Sequence, residues 1–410
     1  MGSKRVVIVG GGAAGLAAAV AAAREGAQVS VLEERKRVGK SILVTGNGRC
    51  NLTNTRVGPN AYNAPDFVAP VLSRLGYAQI KDFFRNLGLC VREEDGGKVY
   101  PLSNSATTVT DVLYNACLRL GVEIVCRFRA RGIEKEGEDA AVVSEAGERV
   151  LADAVIIASG GGSRLLETCG HELVPFQPVL CSLATDTGPI RGLSGVRARA
   201  RVSAYHGGDR LRASGAVTQN REVNKPFASE SGEVLFRDYG LSGIVIFDLS
   251  RYVEPGDYLS LHLHPATDEV EAVHHLEGRV ERLGIEGKPF SYGDLLRGMF
   301  HSRINDALIA YAGLKPRDQV DANRLDDLAH ACVDFRLQVK GIGDAKHAQV
   351  TRGGAKLDQF DPTALESLVV PGVYAAGECL DVDGRCGGFN LHWAWASGIA
   401  AARAAVGKGR

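Results

Sequence analysis

The first strand–turn–helix of the chain constrains its fold more than any other segment. Residues 4–25 read KRVVIVGGGAAGLAAAVAAARE, in which Val6–Val9 form the continuous apolar run of a buried parallel strand. A G-x-G-x-x-G turn follows, with Gly10, Gly12 and Gly15 at its glycine positions, and it leads directly into an alanine-rich helix. This order of elements is typical of a dinucleotide-binding unit.

The turn and the strand after it predict how a dinucleotide would be held. Unpaired N–H groups and the positive dipole end of the helix attract a pyrophosphate. The second strand, Gln28–Leu32, ends at Glu33, about 20 residues beyond the turn, where such units place the acid that binds the adenosine ribose. The alternative is a structural glycine turn with an incidental acid, and the combination of features favours the dinucleotide site. The residues expected at the pyrophosphate are Gly10, Gly12, Ala13, Ala14 and Gly15.

The composition narrows the class of protein and its partners. The 48 basic and 48 acidic residues cancel, so no strong field suggests a nucleic acid or an anionic membrane as a partner. No apolar run approaches the roughly 20 residues of a membrane helix. The nine cysteines are scattered without metal-ligand spacing. We therefore expect a cytoplasmic protein without a metal site or a disulfide framework.

A second cofactor motif lies near the end of the chain. Val373–Ala376 reads as a short apolar strand that ends at Gly377-Glu378, and a glycine-led helix is predicted from Asn390 to Ala405. Many flavoproteins complete an FAD site in this way, because the acid accepts a hydrogen bond from the ribityl chain and the helix N-terminus faces the flavin ring. Asn390 is predicted as the N-cap of that helix. The two motifs together favour non-covalent FAD over NAD as the resident cofactor.

The distance between the two motifs predicts a discontinuous cofactor domain. We predict an α/β fold in which a Rossmann-like FAD-binding domain, with a parallel sheet and a β-meander, spans residues 1–185 and 345–410. An insert domain of β-barrel or sheet plus helices is expected at 186–344. Within it, residues 186–265 alternate as strands, with Leu241–Leu249 among them, and the following segment is helical.

The whole chain resembles a known family. The segments GKSILVTGNGRCNLTN, GEVLFRDYGLSG, TRGGAKLDQFDPTALES and VPGVYAAGECLDVDGRCGGFNLHWAWASG are similar to those of the BaiN-like (YhiN-type) flavoproteins, often labelled aminoacetone-oxidase-family FAD-binding enzymes. The resemblance implies an FAD domain interrupted by an insert, with the substrate pocket between them. One departure is Ile244 after GLSG, where the family commonly has proline.

The resemblance also implies roles for further residues. Arg49, Cys50 and Asn51 are expected to line the flavin, and Ala130 to meet the adenine through its backbone. Glu378 is expected at the ribityl chain. The wider set of cofactor-binding residues implied by the resemblance is Lys40, Gly46, Gly48, Arg49, Cys50, Asn51, Ala130, Gly377, Gly388, Phe389 and Asn390.

The predicted chemistry belongs to the flavin, so no catalytic triad or metal cluster is required, and the sequence suggests none. The candidate catalytic residues are Arg49, Cys50, Tyr239 and His392. Tyr239 and His392 are candidate proton donors. The thiols near the predicted flavin lack the spacing of a redox pair and are expected to be inert.

Three functions are compatible with the sequence. The first is an FAD-dependent reductase of a conjugated carbonyl, such as the dienone of an oxidised bile acid. Its electrons would come from transient NAD(P)H or another donor, because no second dinucleotide motif is present. The second is an amine oxidase that converts a small aminoketone with oxygen. The third is a non-catalytic flavin-binding or RNA-modification-related protein, and the neutral charge argues against RNA. We favour the first, with a small-molecule substrate and the oligomeric state left open.

Overall fold

The structure is a computed structural model that describes residues 3–136, 139–207, 225–284, 289–345 and 348–407. The chain forms two compact units. One comprises Met1–Pro178 and Gln349–Arg410, and the other comprises Val179–Ala348. No helix in the described part of the chain is long and apolar enough to cross a membrane.

The helices and strands follow one another in three stretches. The first contains β1 (Arg5–Val9), α1 (Ala13–Arg24), β2 (Gln28–Glu33), α2 (Lys40–Leu43), β3 (Thr53–Asn54), α3 (Pro65–Arg74), α4 (Tyr77–Arg85), β4 (Val91–Glu94), β5 (Lys98–Pro101), α5 (Ala106–Arg119), β6 (Glu123–Cys126), β7 (Ala130–Glu136), β8 (Asp139–Ser144), β9 (Arg149–Ala152), β10 (Ala154–Ile157), α6 (Leu165–Thr168) and β11 (Leu173–Val179). The second contains β12 (Leu183–Thr185), β13 (Arg197–Tyr205), β14 (Ala228–Arg237), β15 (Gly240–Ser242), α7 (Ile244–Leu249), β16 (Tyr258–His262), α8 (Glu269–Gly284), α9 (Tyr292–Leu296), α10 (Ser302–Tyr311), α11 (Leu325–Val333) and β17 (Phe335–Ile342). The third contains β18 (Val350–Ala355), β19 (Val373–Ala375) and α12 (Phe389–Val406).

A five-stranded parallel sheet forms the centre of the first unit. Its strand order is β19–β10–β1–β2–β6, with every neighbouring pair parallel. The middle strands are apolar on both faces, because helices and loops cover both sides of the sheet. β7, β8 and β9 form the predicted antiparallel meander. The Rossmann-type fold predicted from the sequence is thus confirmed.

The first and last helices lie unusually close together. Both α1 and α12 are rich in alanine, and their alanines are mostly buried. A Cβ at Gly398 would lie 2.3 Å from the backbone oxygen of Ala14. The absence of a side chain at this position therefore allows α12 to pack directly against the start of α1.

The second unit contains a closed six-stranded barrel, in the order β12–β15–β14–β13–β16–β17, together with α7 to α11. The alternation predicted for β13 is present, since Val202 and Ala204 are buried while Arg197, Arg199 and Arg201 are exposed. This agrees with the predicted insert of a barrel plus helices. Part of the predicted β region, residues 208–224, lies outside the described residues.

The prediction of a strand over Leu241–Leu249 is wrong for most of its length. β15 ends at Ser242, and α7 begins at Ile244. Gly243 adopts a φ of +107°, which ends the strand before the helix starts. The apolar run packs as a helix because its buried positions include Val245 and Leu249, which are four residues apart.

Candidate functional site: the dinucleotide turn and the start of the last helix

The glycines of the G-x-G-x-x-G motif, the last of which lies inside α1, have different structural requirements. A Cβ at Gly10 would lie 2.4 Å from the backbone oxygen of Ala158, and one at Gly15 would lie 1.8 Å from the oxygen of Gly10. A Cβ at Gly12, the N-cap of α1, would approach only the Ser41 Oγ atom, at 3.1 Å. Gly10 and Gly15 are therefore required by the protein itself, whereas Gly12 leaves space above the helix N-terminus.

Glu33 connects the end of β2 to this turn. Its side chain is buried, and its Oε2 atom accepts a hydrogen bond from the Gly11 N–H at 2.8 Å. The Oε1 atom accepts one from the Arg35 N–H at 2.9 Å. A carboxylate can accept further hydrogen bonds on each oxygen, so Glu33 is oriented and still able to bind ribose hydroxyls.

A basic cavity follows Glu33. It has a volume of about 760 Å³ and is lined by Glu34, Arg35, Lys36, Arg37, Lys40 and Arg127. Five of these six side chains are cations, so the cavity favours a negatively charged ligand. Lys40, predicted to bind the cofactor, is exposed at the start of α2 and lies in this lining.

Glu378, the second predicted cofactor-binding acid, lies just after β19. It lies in a 3₁₀ turn, Gly377–Cys379, and its Oε2 atom accepts a hydrogen bond from the Gly161 N–H at 3.3 Å. Burial raises the pKa of this carboxyl to about 7, and the charge of Asp383 adds to the effect. The carboxyl group can therefore gain or lose a proton near neutral pH.

The start of α12 lies against an unpaired acceptor. Gly388 is the N-cap, with a φ of +101°, and a Cβ there would lie 2.9 Å from the Oδ1 atom of Asn51. That Oδ1 atom is buried without a hydrogen-bond partner among the described residues, as is the hydroxyl of Ser159 after β10. The N–H of a flavin ring and the hydroxyls of a ribityl chain are donors that suit such acceptors. These residues fit FAD.

Asn390 is not the N-cap of α12, contrary to the prediction. Its Oδ1 atom accepts from the Gly384 N–H at 2.7 Å, and its Nδ2 atom donates to the Gly384 and Arg385 carbonyls at 2.9 and 3.3 Å. The side chain therefore fixes the loop before the helix. Gly388 precedes the helix instead, because the chain turns there in the left-handed region.

Arg49 points towards the β4–β5 hairpin. Its guanidinium donates to Glu94 and Asn104 at 2.5 Å each and lies 4.0 Å above the Tyr100 ring. Cys50 is fully buried, and burial raises its thiol pKa to about 12. This thiol stays protonated at neutral pH, which disfavours redox or nucleophilic chemistry.

The two candidate proton donors occupy different surroundings. His392 is fully buried; its Nε2 atom donates to the Leu75 carbonyl at 2.9 Å, and its Nδ1 atom is 2.7 Å from the Thr53 hydroxyl. Burial lowers the pKa of this imidazole to about 4. Tyr239 belongs to the second unit, where its hydroxyl donates to Ser182 at 3.1 Å. Both nitrogens of His392 are engaged, so the arrangement favours a structural role.

The remaining predicted residues are spread over the first unit. Gly46 and Gly48 lie in a loop after α2 and both have positive φ; Ala130 opens β7; Phe389 opens α12 and is buried. Within the described ranges, no cluster of histidine, cysteine or acidic side chains could hold a metal ion. The cysteine of the 3₁₀ turn, Cys379, is buried with a thiol pKa raised to about 12.

Sequence reasoning missed Ser159 and Tyr100. Ser159 directly follows the apolar strand β10, so its place at the carboxyl edge of the parallel sheet was a usable signal. The sequence around Tyr100 indicates only a hairpin, and nothing local in it links this residue to Arg49.

Acid stability tests the role of His392. The pKa of this imidazole is about 4 in the folded protein and ordinarily 6.5. Between these two pH values the unfolded chain therefore binds more protons than the folded protein does. The free energy of unfolding should therefore fall as the pH decreases through this window, by about 3 kcal/mol from this group. Denaturant titrations of wild-type and His392→Gln protein measure it; an identical pH dependence in the two would contradict the assignment.

The sequence matches the family described as the HI0933-like protein Rossmann domain over residues 4–404. The chain belongs to this HI0933-like family. A relative from Clostridium scindens, named 3-dehydro-bile acid delta(4,6)-reductase, is 34% identical over 98% of this chain and 99% of its own. The BaiN-like resemblance is thus confirmed.

More distant relatives have a different name. A protein from Escherichia coli named ribosomal RNA dihydrouridine synthase is 27% identical, covering 97% of this chain and 96% of its own. Among solved structures, a flavocytochrome c3 fumarate reductase is 15% identical, covering 99% of this chain and 78% of that one, with a TM-score of 0.43. This HI0933-like chain is a flavin-dependent oxidoreductase, as predicted.

Proposed function

We propose that the protein is an FAD-dependent reductase of a carbon–carbon double bond conjugated to a carbonyl group. The observation that carries the proposal is the reaction common to its relatives. A 3-dehydro-bile acid delta(4,6)-reductase acts on double bonds conjugated to a 3-oxo group, and dihydrouridine forms when the ring double bond beside a carbonyl of uridine is reduced. Relatives with different substrates thus share one type of bond, and this favours a reductase over an amine oxidase.

The residues of the first unit would hold the cofactor in a defined orientation. The Gly10–Gly15 turn would bind the pyrophosphate, Glu33 the adenosine ribose, and Glu378 the ribityl chain. Asn51 would accept from the ring, and the N-terminus of α12 would favour negative charge beside it. FAD, once reduced, supplies the hydride, and the protein supplies position and electrostatics. We propose NADH or NADPH as the transient electron donor.

A small molecule is the proposed substrate, and two features of the chain support this. The overall charge is balanced, and the exposed Arg197 of β13 forms a 2.5 Å ion pair with Glu233 of β14. We also propose that residues 179–348 form the substrate domain and that the protein is cytoplasmic, in keeping with its nine free cysteines.

Product analysis tests the function. The holoenzyme is supplied anaerobically with NADH or NADPH and with either a 3-oxo-4-ene steroid or a uridine-containing ribosomal RNA. In a separate aerobic reaction it is supplied with a small aminoketone. We expect mass spectrometry to find the steroid with two additional hydrogens. Reduction of the RNA alone would identify a nucleic acid substrate, and oxidation of the aminoketone alone would overturn the reductase proposal.

Replacement of the second unit tests the domain assignment. A variant in which a short linker replaces residues 186–344 should keep FAD bound, because every proposed cofactor contact lies in the first unit. It should lose substrate reduction while retaining reduction of an artificial dye. Wild-type substrate turnover in this variant would contradict the assignment.

A further inference from the structure

Tyr100 can donate a proton and takes part in none of the proposed cofactor contacts. It lies on β5, and its side chain is 7% exposed. It lines a cavity of about 400 Å³ together with Arg49, Glu94, Asp95 and Lys98. Its hydroxyl makes no hydrogen bond with another described residue, so the phenol is free to donate to a ligand.

A chain of short distances connects Tyr100 to the start of α12. A Cβ at Gly46 would lie 3.5 Å from the Tyr100 ring and 2.9 Å from the Asn51 backbone nitrogen. The Asn51 Oδ1 atom in turn lies against Gly388, as described above. The Tyr100 hydroxyl is also near enough to Cys386, beside this glycine turn, for their charges to interact. Tyr100 thus lies close to Asn51, the residue proposed to accept a hydrogen bond from the flavin ring.

Arg49 is held rigidly over the Tyr100 ring. Its guanidinium is fixed by Glu94 and Asn104, and Arg92 also binds Glu94 at 2.8 Å. A cation at 4.0 Å from the ring stabilises a negative phenolate, which forms when the phenol gives up its proton. Burial, followed by the negative charge of Glu94, acts in the opposite direction, so the pKa of the phenol is raised and the phenol stays protonated at neutral pH.

We propose that Tyr100 is the proton donor of the reductase and that Arg49 is the residue that positions and activates it. This inference rests on the proposed function. FAD, once bound and reduced, would supply a hydride to the β-carbon of the alkene, which would leave the electron pair of the double bond on the α-carbon and the carbonyl oxygen. A new C–H bond then forms at the α-carbon as the Tyr100 O–H bond breaks. Water returns a proton to the phenolate, so the alkene gains two electrons and two hydrogens while the flavin loses two electrons.

The other candidates are less suited to this step. Both nitrogens of His392 are engaged, the Cys50 thiol is fully buried, and the Tyr239 hydroxyl already donates to Ser182. A general acid must carry its proton at the working pH and release it in the transition state. Tyr100 meets the first condition through burial, and Arg49 supports the second.

The test separates proton transfer to carbon from electron transfer. The Tyr100→Phe holoenzyme is reduced with dithionite without oxygen and mixed either with a 3-oxo-4-ene steroid or with ferricyanide, which accepts electrons without a proton. Flavin reoxidation by the steroid should slow by about 10²- to 10⁴-fold, and reoxidation by ferricyanide should not change. Tyr77→Phe is the matched control, since its hydroxyl bonds Glu93 at the exposed side of the same hairpin, and it should behave as wild type.

A second readout does not depend on turnover. In holoenzyme labelled with ¹³C at the tyrosine ζ carbon, the Tyr100 signal is identified by its loss in Tyr100→Phe. Arg49→Met should raise the pKa of this phenol, and Arg49→Lys should restore part of the difference. Two results would overturn the roles of Tyr100 and Arg49 without affecting the proposed function. They are reoxidation of Tyr100→Phe by the steroid at the wild-type rate, and an unchanged phenol pKa in Arg49→Met. A wild-type enzyme that no enone reoxidises would overturn the proposed function as well.

Discussion

The Gly12→Val protein is expected to fold like the wild type and to purify without colour. A Cβ at this position meets only the Ser41 Oγ atom within the protein, at 3.1 Å, so the Cβ requires only a small shift of that side chain in the apoprotein. The branched side chain would nevertheless project above the N-terminus of α1, where the pyrophosphate must approach the backbone. FAD binding should fall by more than about 100-fold, which corresponds to the loss of roughly 3 kcal/mol.

Gly15→Ala provides the contrasting control. Its single methyl group would lie 1.8 Å from the Gly10 oxygen, so the strand and the helix would have to separate. We expect this variant to unfold at lower temperature even without cofactor, whereas Gly12→Val should keep the melting temperature of the wild-type apoprotein. Visible absorbance after purification and thermal unfolding of both apoproteins measure the two effects. A yellow Gly12→Val protein with wild-type affinity for FAD would contradict the placement of the pyrophosphate.

The affinity for FAD is expected to increase as the pH rises towards neutrality. The pKa of Glu378 in the structure is about 7, so the carboxyl group is mostly protonated below this pH. A ribityl hydroxyl that donates to the carboxylate favours the ionised form, so binding releases a proton. By linkage, the dissociation constant should fall by up to about tenfold for each pH unit below 7 and level off above it.

Glu378→Gln separates this carboxyl from other groups that titrate. The glutamine keeps an acceptor but has no proton to release, so its FAD affinity should be weaker at high pH and should lose the pH dependence. Quenching of FAD fluorescence during titration of the apoprotein measures the dissociation constant between about pH 5 and about pH 8. Equal pH profiles for the two proteins would show that FAD binding does not ionise Glu378 and would contradict the proposed hydrogen bond to its carboxylate.

Much of the fold was predictable because its signals are local. The apolar run before Gly10 and the glycine spacing through Gly15 predict β1, the turn and α1 without knowledge of the rest of the chain. The alternation along β13 likewise predicts one buried face. The prediction for the apolar run after Gly243 is wrong, because a short buried helix and a short buried strand have the same composition.

The site was less predictable because its contacts join distant parts of the chain. Arg49 and Glu94 are neighbours only because a hairpin folds back on the loop before it. The side chain of Asn390 forms hydrogen bonds with the preceding loop instead of capping the helix, and this depends on the position of Gly384 in the fold. The position of Glu33 at the end of β2 was predictable from the local sequence, while contacts that depend on a distant neighbour in the fold were not.

Reoxidation of the holoenzyme after anaerobic reduction tests the proposed chemistry most directly. The flavin is reduced fully and then mixed with a 3-oxo-4-ene steroid, with the matching saturated 3-oxo steroid, or with oxygenated buffer. We predict that the oxidised flavin spectrum returns rapidly with the conjugated steroid, does not return with the saturated one, and returns more slowly with oxygen. Rapid reoxidation by oxygen together with no reaction with the conjugated steroid would contradict the assignment as a reductase of conjugated carbonyl compounds.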